Sequence, residues 1–191
     1  MSMAAEHQTK FQPPSSASAS EGSASKRFNQ KNLIFSLDNE QYGIPLSSVK
    51  EVIGMVNVTP IPHVPLFFKG LLNLRGKIIS VIDLRLKLGL KEKPYEAKKT
   101  SIIISDVNEL TIGTIVDDVN EVVGFNEEQI EKNLDISNSI KRDYIAGVAK
   151  GPHNLVLLLD IHRVLDPDEL DLINQHAVLP QEDTNKESQE G

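Results

Sequence analysis

An internal repeat constrains the fold of this chain more than any other feature of its sequence. A shift of 70 residues aligns the following pairs without gaps: Leu33 with Ile103, Gly43 with Gly113, Val49 with Val119, Glu51 with Glu121 and Val52 with Val122. A shift of 77 residues aligns a later set: Gly70 with Gly147, Ile78 with Leu155, Val81 with Leu158, Asp83 with Asp160 and Leu88 with Leu165. One loop insertion explains the difference between the shifts. Because the blocks keep their order, we predict two similar β subdomains, roughly 33–88 and 103–165, that share a core.

Short apolar runs separated by turn residues fill both repeats, and they predict mostly β-structure. The runs lie at 33–37, 41–44, 76–82, 101–105, 111–116 and 154–159. Their length, their β-branched content and the turns between them suit small barrels or a sandwich. The three prolines of segment 60–65 exclude a central strand there and predict an irregular connection.

One helix is predicted near the end of the folded region. Asp166 suits the N-cap, Pro167 the first helical position and Glu169 the third, so a helix is expected over about 167–176. The segment 83–89 is ambiguous. Its strict alternation of apolar and polar residues is typical of a strand, whereas its charges and the closing Gly89 allow a short helical turn.

Composition limits the folded length and excludes several classes of protein. Residues 1–27, rich in Ser, Ala and Pro, and the acidic residues 177–191 are expected to be disordered tails around a domain at 28–176. The chain has 20 Lys+Arg against 27 Asp+Glu, a net charge of −7, which disfavours a nucleic-acid binder. The sequence has no apolar run of about 18 residues for membrane insertion. It also lacks Cys, so disulfides and thiolate metal sites are excluded.

Residues that would carry catalysis or bind a metal are not grouped in this sequence. None of the glycine patterns of a P-loop, a dinucleotide loop or a nucleophile elbow occurs. The five His form no HxxxH or HExxH pair, so neither a metal nor a cofactor is expected. Asp117 and Asp118 are adjacent carboxylates that point to opposite faces of a strand, and we interpret them as a solvated strand end. We therefore predict that the protein is not an enzyme.

The most distinctive local motif is the turn around Arg75. Asn73 and Gly76 bracket it, because Gly76 can take a positive φ and Asn73 can hydrogen-bond its own turn. Arg75 would then present a planar cation with five donors. From spacing alone this side chain is either a solvated turn arginine or a group that recognises a partner.

Several blocks, in the same order, resemble the CheW-like family. The similarity is carried by Gly70-x-x-Asn73-Leu74-Arg75-Gly76 with the following Ile78, Val81, Asp83 and Leu84, and by blocks at 35–44, 49–53, 111–119 and 160–161. It spans about 30–170. The resemblance implies a mainly β fold, with two five-stranded SH3-like β-barrels packed on a shared core. Here a C-terminal helix is added to them.

The resemblance also implies a function. This chain is similar to the stand-alone coupling proteins of the family, because nothing resembling a kinase ATP domain or a receiver accompanies the motif. Such proteins are cytoplasmic adaptors that link chemoreceptor tips to the regulatory domain of the histidine kinase CheA in chemotaxis, and help build membrane receptor arrays. We expect no cofactor, no nucleic acid, no direct membrane insertion and a monomer when isolated.

The site residues are carried over from the same resemblance. Val49, Val52, Val119 and Val122 are expected to line a groove for a receptor helix, with Gly70 allowing close approach. Arg75, in the turn with Asn73 and Gly76, is expected to pair with Glu51. That pair either presents Arg75 to the receptor or simply pins two segments together. An adaptor of another receptor–kinase array, such as one for type IV pilus motility, and a small β-barrel enzyme stay as alternatives.

Overall fold

A computed structural model describes residues 30–132, 143–151 and 154–177, and this part of the chain is mainly β. The elements are β1 (Gln30–Leu37), β2 (Glu40–Pro45), β3 (Val49–Gly54), β4 (Phe68–Leu74), β5 (Lys77–Asp83), α1 (Leu84–Lys87), β6 (Ser101–Val107), β7 (Leu110–Val116), β8 (Asp118–Phe125), β9 (Ile130–Glu131), β10 (Ile145–Lys150), β11 (Leu155–Leu159) and α2 (Pro167–Ala177). The tails expected at 1–27 and 177–191 lie outside the described residues except for Ala177, which is the last residue of α2 and not part of a tail.

The strands form two sheets, and each sheet contains strands from both repeats. Sheet 1 has the order β8-β1-β2-β11-β10-β9, and sheet 2 has the order β3-β6-β7-β5-β4. Each sheet therefore takes its first hairpin from one repeat and its remaining strands from the other. The segments 33–88 and 103–165 each contribute strands to both sheets, so neither segment is a sheet by itself. Sheet 1 exceeds the expected five strands because the two-residue β9 extends it.

In each sheet, one parallel strand pair joins the exchanged hairpin to the remaining strands. β2 pairs in parallel with β11 in sheet 1, and β7 pairs in parallel with β5 in sheet 2. Both contacts join a hairpin of one repeat to the last strand of the other. The remaining neighbours within each sheet are antiparallel.

The predicted shared core is present between the sheets. One apolar cluster contains Phe35 and Tyr42 of sheet 1 together with Ile82 and Ile103 of sheet 2. Each sheet also encloses a smaller cluster of its own, in which Val81 is fully buried in sheet 2 and Phe125 is buried in sheet 1. Burial of this apolar surface is the main stabilising contribution.

Both helices begin at an aspartate cap. For α2, Glu169 N–H donates to Asp166 Oδ1 over 2.9 Å, and Asp166 N–H donates to Glu169 Oε2 over 2.9 Å, which forms the predicted capping box. In the ambiguous segment the helical alternative is confirmed, since α1 begins after Asp83, whose Oδ1 accepts from Leu86 N–H over 3.2 Å. Among the described residues, no helix is long and apolar enough to span a membrane.

Candidate functional site

The Arg75 turn is the tip of the β4–β5 hairpin. Leu74 pairs with Lys77, which leaves Arg75 and Gly76 as a two-residue loop. Their φ angles are +52° and +85°, and two positive values are the mark of a type I′ hairpin turn. Asn73 Oδ1 accepts from Gly76 N–H over 2.8 Å, as expected from the sequence. The turn lifts Arg75 away from the sheet, and its side chain is 78% exposed.

The exposed guanidinium contacts the opposite edge of sheet 2. Arg75 Nη2 lies 2.9 Å from Glu51 Oε2 on β3, which is the pairing implied by the resemblance. In a flat sheet β3 and β4 would stand about 19 Å apart, at four strand spacings. The sheet must therefore curl to bring them together. A backbone bridge between Thr59 and Leu71 closes the same gap, with N–H···O distances of 2.8 and 2.9 Å.

A second charged group lies next to Glu51 on β3. Lys50 Nζ is 2.7 Å from Asp106 Oδ1, and Asp106 also accepts from the Thr111 hydroxyl over 2.9 Å. The hydrogen bond from Lys50 lowers the pKa of the Asp106 carboxyl below its usual range. Both charged side chains of β3 are therefore paired, Lys50 with Asp106 and Glu51 with Arg75. Most of the N–H donors of Arg75 nevertheless face solvent.

The four valines expected to line a groove divide into two kinds. Val49 and Val119 are half-buried and pack against the shared core. Val52 and Val122 are 40% and 48% exposed. All four lie on the edge strands β3 and β8, one from each sheet. The structure thus exposes one valine on each edge strand, and their convergence in one groove stays a prediction.

Gly70 has a different role from the expected one. A Cβ on Gly70, whose φ is +131°, would lie 1.9 Å from the Thr59 carbonyl oxygen. The close approach that this glycine allows is therefore made by the chain's own backbone, where Thr59 bridges to Leu71. The expectation that Gly70 admits a receptor helix is corrected, because the space above it is already filled.

Sequence reasoning missed an ion pair between α1 and the start of β8. Arg85 Nε donates to Asp117 Oδ1 over 3.2 Å, and Nη2 donates to Oδ2 of the same carboxylate. Arg85 is only 5% exposed. Our interpretation of Asp117 as a solvated strand end is therefore wrong. No local pattern could reveal this pair, because 32 residues separate its partners.

Two further contacts hold the elements that follow β5. Lys87 pairs with Glu169 of α2, and its Nζ lies 4.8 Å from the ring centroid of Phe67. Tyr95, in the connection to β6, donates its hydroxyl to Asp83 Oδ2 over 2.7 Å. Burial, reinforced by this hydrogen bond, raises the pKa of the Tyr95 hydroxyl well above its usual range. The connection between the repeats is thereby anchored to the cap of α1.

No group of three or more His, Asp or Glu side chains within the described ranges is placed to hold a metal ion. The surface features present there are exposed valines on two edge strands and an arginine held at a hairpin tip. These features suit contact with another protein.

The fold is that of a duplicated β protein in which two sheets exchange hairpins between the repeats. A family model described as a CheW-like domain matches residues 31–169, and the chain belongs to this family. Its two β subdomains are SH3-like, as the resemblance implies.

Named relatives and a solved structure align with most of the chain. It is 33% identical over 154 residues to the chemotaxis protein CheW of Klebsiella aerogenes, covering 81% of this chain and 92% of that protein. It is 32% identical over 147 residues to the chemotaxis protein CheW of Bacillus subtilis, with coverages of 73% and 88%. The crystal structure of the scaffolding protein TtCheW from Thermoanaerobacter tengcongensis matches with a TM-score of 0.67 and 35% identity, over 72% of this chain and 93% of that one.

Proposed function

We propose that this protein is a chemotaxis adaptor that couples the cytoplasmic tips of chemoreceptors to the regulatory domain of the histidine kinase CheA. The observation that carries the proposal is the CheW-like domain, which extends over 31–169 and includes both sheets. The names of the relatives, chemotaxis protein and scaffolding protein, support the same role. On this proposal the protein works by contact and catalyses no reaction.

The receptor contact is proposed at the two edge strands and the Arg75 turn. A receptor tip is a helical hairpin, and a helix docks with its apolar face against exposed apolar side chains. Val52 on β3 and Val122 on β8 offer such side chains. Arg75 lies at the hairpin tip tied to β3, where its free donors would meet acidic or carbonyl groups of the receptor.

The remaining partner and the location follow from the same role. The kinase regulatory domain would contact a barrel end, and receptor, adaptor and kinase together would form the array. Because receptor tips lie in the cytoplasm, the protein would act there and be recruited to membrane receptor arrays.

Separate pull-downs with a receptor tip fragment and with the CheA regulatory domain test this function. We expect the wild type to bind both. Arg75→Glu should weaken receptor capture by about tenfold or more, because a charge at the contact is reversed. Its melting temperature should stay within a few degrees, since Arg75 is largely exposed.

The matched control is Lys77→Glu. Lys77 is exposed on the same hairpin, two residues beyond Arg75, and undergoes the same change of charge. Receptor capture by this variant should stay close to that of the wild type. Equal capture by Arg75→Glu and wild type would overturn the role of Arg75, and a wild type that captures neither partner would overturn the coupling function.

A further inference from the structure

Arg85 is a buried arginine at the point where the chain crosses from one sheet to the other. It lies in α1, directly after β5 of sheet 2. Its partner Asp117 lies between β7 of sheet 2 and β8 of sheet 1. The guanidinium donates through both Nε and Nη2 to the two oxygens of this carboxylate. Such a bidentate pair fixes orientation as well as distance, which a single contact does not.

Asp117 also binds β1, the strand next to β8 in sheet 1. Its Oδ2 accepts from Asp38 N–H over 2.8 Å, and its own N–H donates to Ser36 O over 3.2 Å. Ser36 is in β1, and Asp38 begins the β1–β2 turn. One buried ion pair therefore joins three segments: α1, the end of β1 and the start of β8.

The start of β8 determines where its valines point. Among the described strands β8 lies at the edge of sheet 1, where it pairs with β1 alone. Phe35 pairs with Val119 and Ile34 with Glu121, so a bulge falls between them. Val122 pairs with Leu33 of the shared core, so it lies on the core-facing side of sheet 1 at the exposed edge. Because side chains alternate along a strand, a slip of one residue at this bulge would turn Val122 to the opposite face of the sheet. Asp117 holds the strand just before this sensitive point.

We propose that Arg85 and Asp117 are positioning residues for the receptor-binding surface, and that they act by fixing the start of β8. This inference rests on the proposed function, since it concerns the same surface. The two edge strands would then be held differently: β3 by the exposed pair of Glu51 with Arg75, and β8 by the buried pair. Neither Arg85 nor Asp117 contacts the receptor on this proposal.

The test uses the full chain with Arg85→Lys, which keeps the charge and removes the planar fork, and Asp117→Asn, which keeps the shape and removes the charge. The matched control is Lys87→Met. It removes another shielded ion pair of the same helix α1, but one directed to Glu169 of α2 and not to β8. Three quantities are measured for each variant: the Kd for a receptor tip fragment, the melting temperature, and amide hydrogen exchange along β3 and β8.

We expect Arg85→Lys and Asp117→Asn each to raise the receptor Kd about tenfold and to speed amide exchange in β8 more than in β3. Lys87→Met should lower the melting temperature but leave the receptor Kd within about twofold. A purely structural role for Arg85 predicts the opposite pattern, in which receptor affinity falls with the melting temperature in all three variants and exchange rises in both strands. That pattern would overturn the proposal.

Wild-type affinity in both Arg85→Lys and Asp117→Asn would also overturn it. If Arg85→Lys fails to fold, Asp117→Asn decides the outcome alone. A wild type that does not bind the receptor fragment overturns the coupling function and the receptor part of this inference together. In that case the exchange comparison still decides whether the pair positions β8.

Discussion

The two repeats share a backbone plan and differ in the side chains placed on it. Asp83 is the last residue of β5 and Asp160 directly follows β11, and each caps the helical turn that comes next. Leu86 N–H donates to Asp83 over 3.2 Å, and His162 N–H donates to Asp160 over 3.1 Å. Two residues after each cap, however, stand Arg85 and His162. The arginine is buried against the other sheet, whereas the histidine is exposed. Duplication has preserved the cap and changed the residue beside it.

The same contrast separates the two edge strands. Glu51 of β3 holds an arginine that is 78% exposed, and the strand β8 begins next to an aspartate that holds a buried arginine. An exposed pair contributes about 0–1 kcal/mol to the free energy of unfolding. Removing one partner of a buried pair costs about 3–5 kcal/mol. The exposed arginine is thus available for a partner, and the buried one is committed to the fold.

Among equivalent positions of the two repeats, the largest difference in stability loss is expected between Gly70→Ala and Gly147→Ala. In Gly70→Ala the new Cβ would lie 1.9 Å from the Thr59 carbonyl oxygen, on a backbone with φ of +131°. In Gly147→Ala the new Cβ would lie 2.9 Å from the Ile130 Cγ2, which can shift, and 3.0 Å from the Glu131 carbonyl oxygen, a much milder approach than at Gly70. We expect Gly70→Ala to lose more than about 4 kcal/mol of unfolding free energy, and Gly147→Ala about half of that. Urea denaturation measures both, and equal losses would contradict the assigned role of Gly70.

A smaller difference in stability loss is expected between substitutions of Arg85 and of His162, its counterpart in the second repeat. Arg85→Met leaves the Asp117 carboxylate without its cationic partner and should cost about 3 kcal/mol. His162→Met changes an exposed side chain and should stay within about 0.5 kcal/mol. Urea denaturation of both variants at neutral pH gives the comparison. A loss at His162 as large as at Arg85 would show that the two positions are still equivalent.

Alkaline pH should distinguish the two aspartate caps. Asp83 accepts from the Tyr95 hydroxyl, whereas Asp160 Oδ2 lies 3.2 Å from Arg163 Nε. Burial and the bond to Asp83 raise the pKa of Tyr95 in the folded state, so its contribution to stability is complete below about pH 10 and declines as the pH rises further. Tyr95→Phe should cost about 1 kcal/mol at neutral pH.

The measurement is the free energy of unfolding in urea between neutral pH and pH 11. The difference between wild type and Tyr95→Phe should shrink above pH 10, while the difference between wild type and Arg163→Met stays constant there. A constant difference for Tyr95→Phe as well would show that the tyrosine does not titrate with folding.

The smallest effect on stability is expected for Arg75→Asn. The change removes an exposed ion pair, but Asn accepts the positive φ of +52° at this position more readily than Arg. The two contributions oppose each other, so the melting temperature should stay within a few degrees. Receptor capture should nevertheless fall. A large loss of stability would mean that the pair pins the hairpin and has little part in recognition.

Local features of the site could be predicted from the sequence. The Asn73–Gly76 turn, the capping box of α2 and the duplicated strands each depend on residues a few positions apart. The family resemblance added the pairing of Glu51 with Arg75. The structure then showed these contacts at 2.8–2.9 Å.

Features formed between distant segments could not be predicted. The role of Gly70 depends on Thr59, which approaches it only after the sheet curls. The burial of Arg85 depends on Asp117 across 32 residues, and the alternation along 83–89 does not indicate which element covers Arg85. A periodic pattern reports which face of one element is apolar, and it does not report which other element covers that face.

The exchange of hairpins between the sheets makes the two halves of the gene product interdependent. Cutting the chain in the connection at 91–99 would leave each half with a hairpin whose partner strands belong to the other half. Neither half then has a complete sheet, so the duplicated unit is not an autonomous folding unit. Because β1 must find β8 more than 80 residues away, much of the native contact set is non-local, and folding is expected to be slow and highly cooperative. Both edge strands, which lie in different sheets, would therefore form only when the two halves fold together.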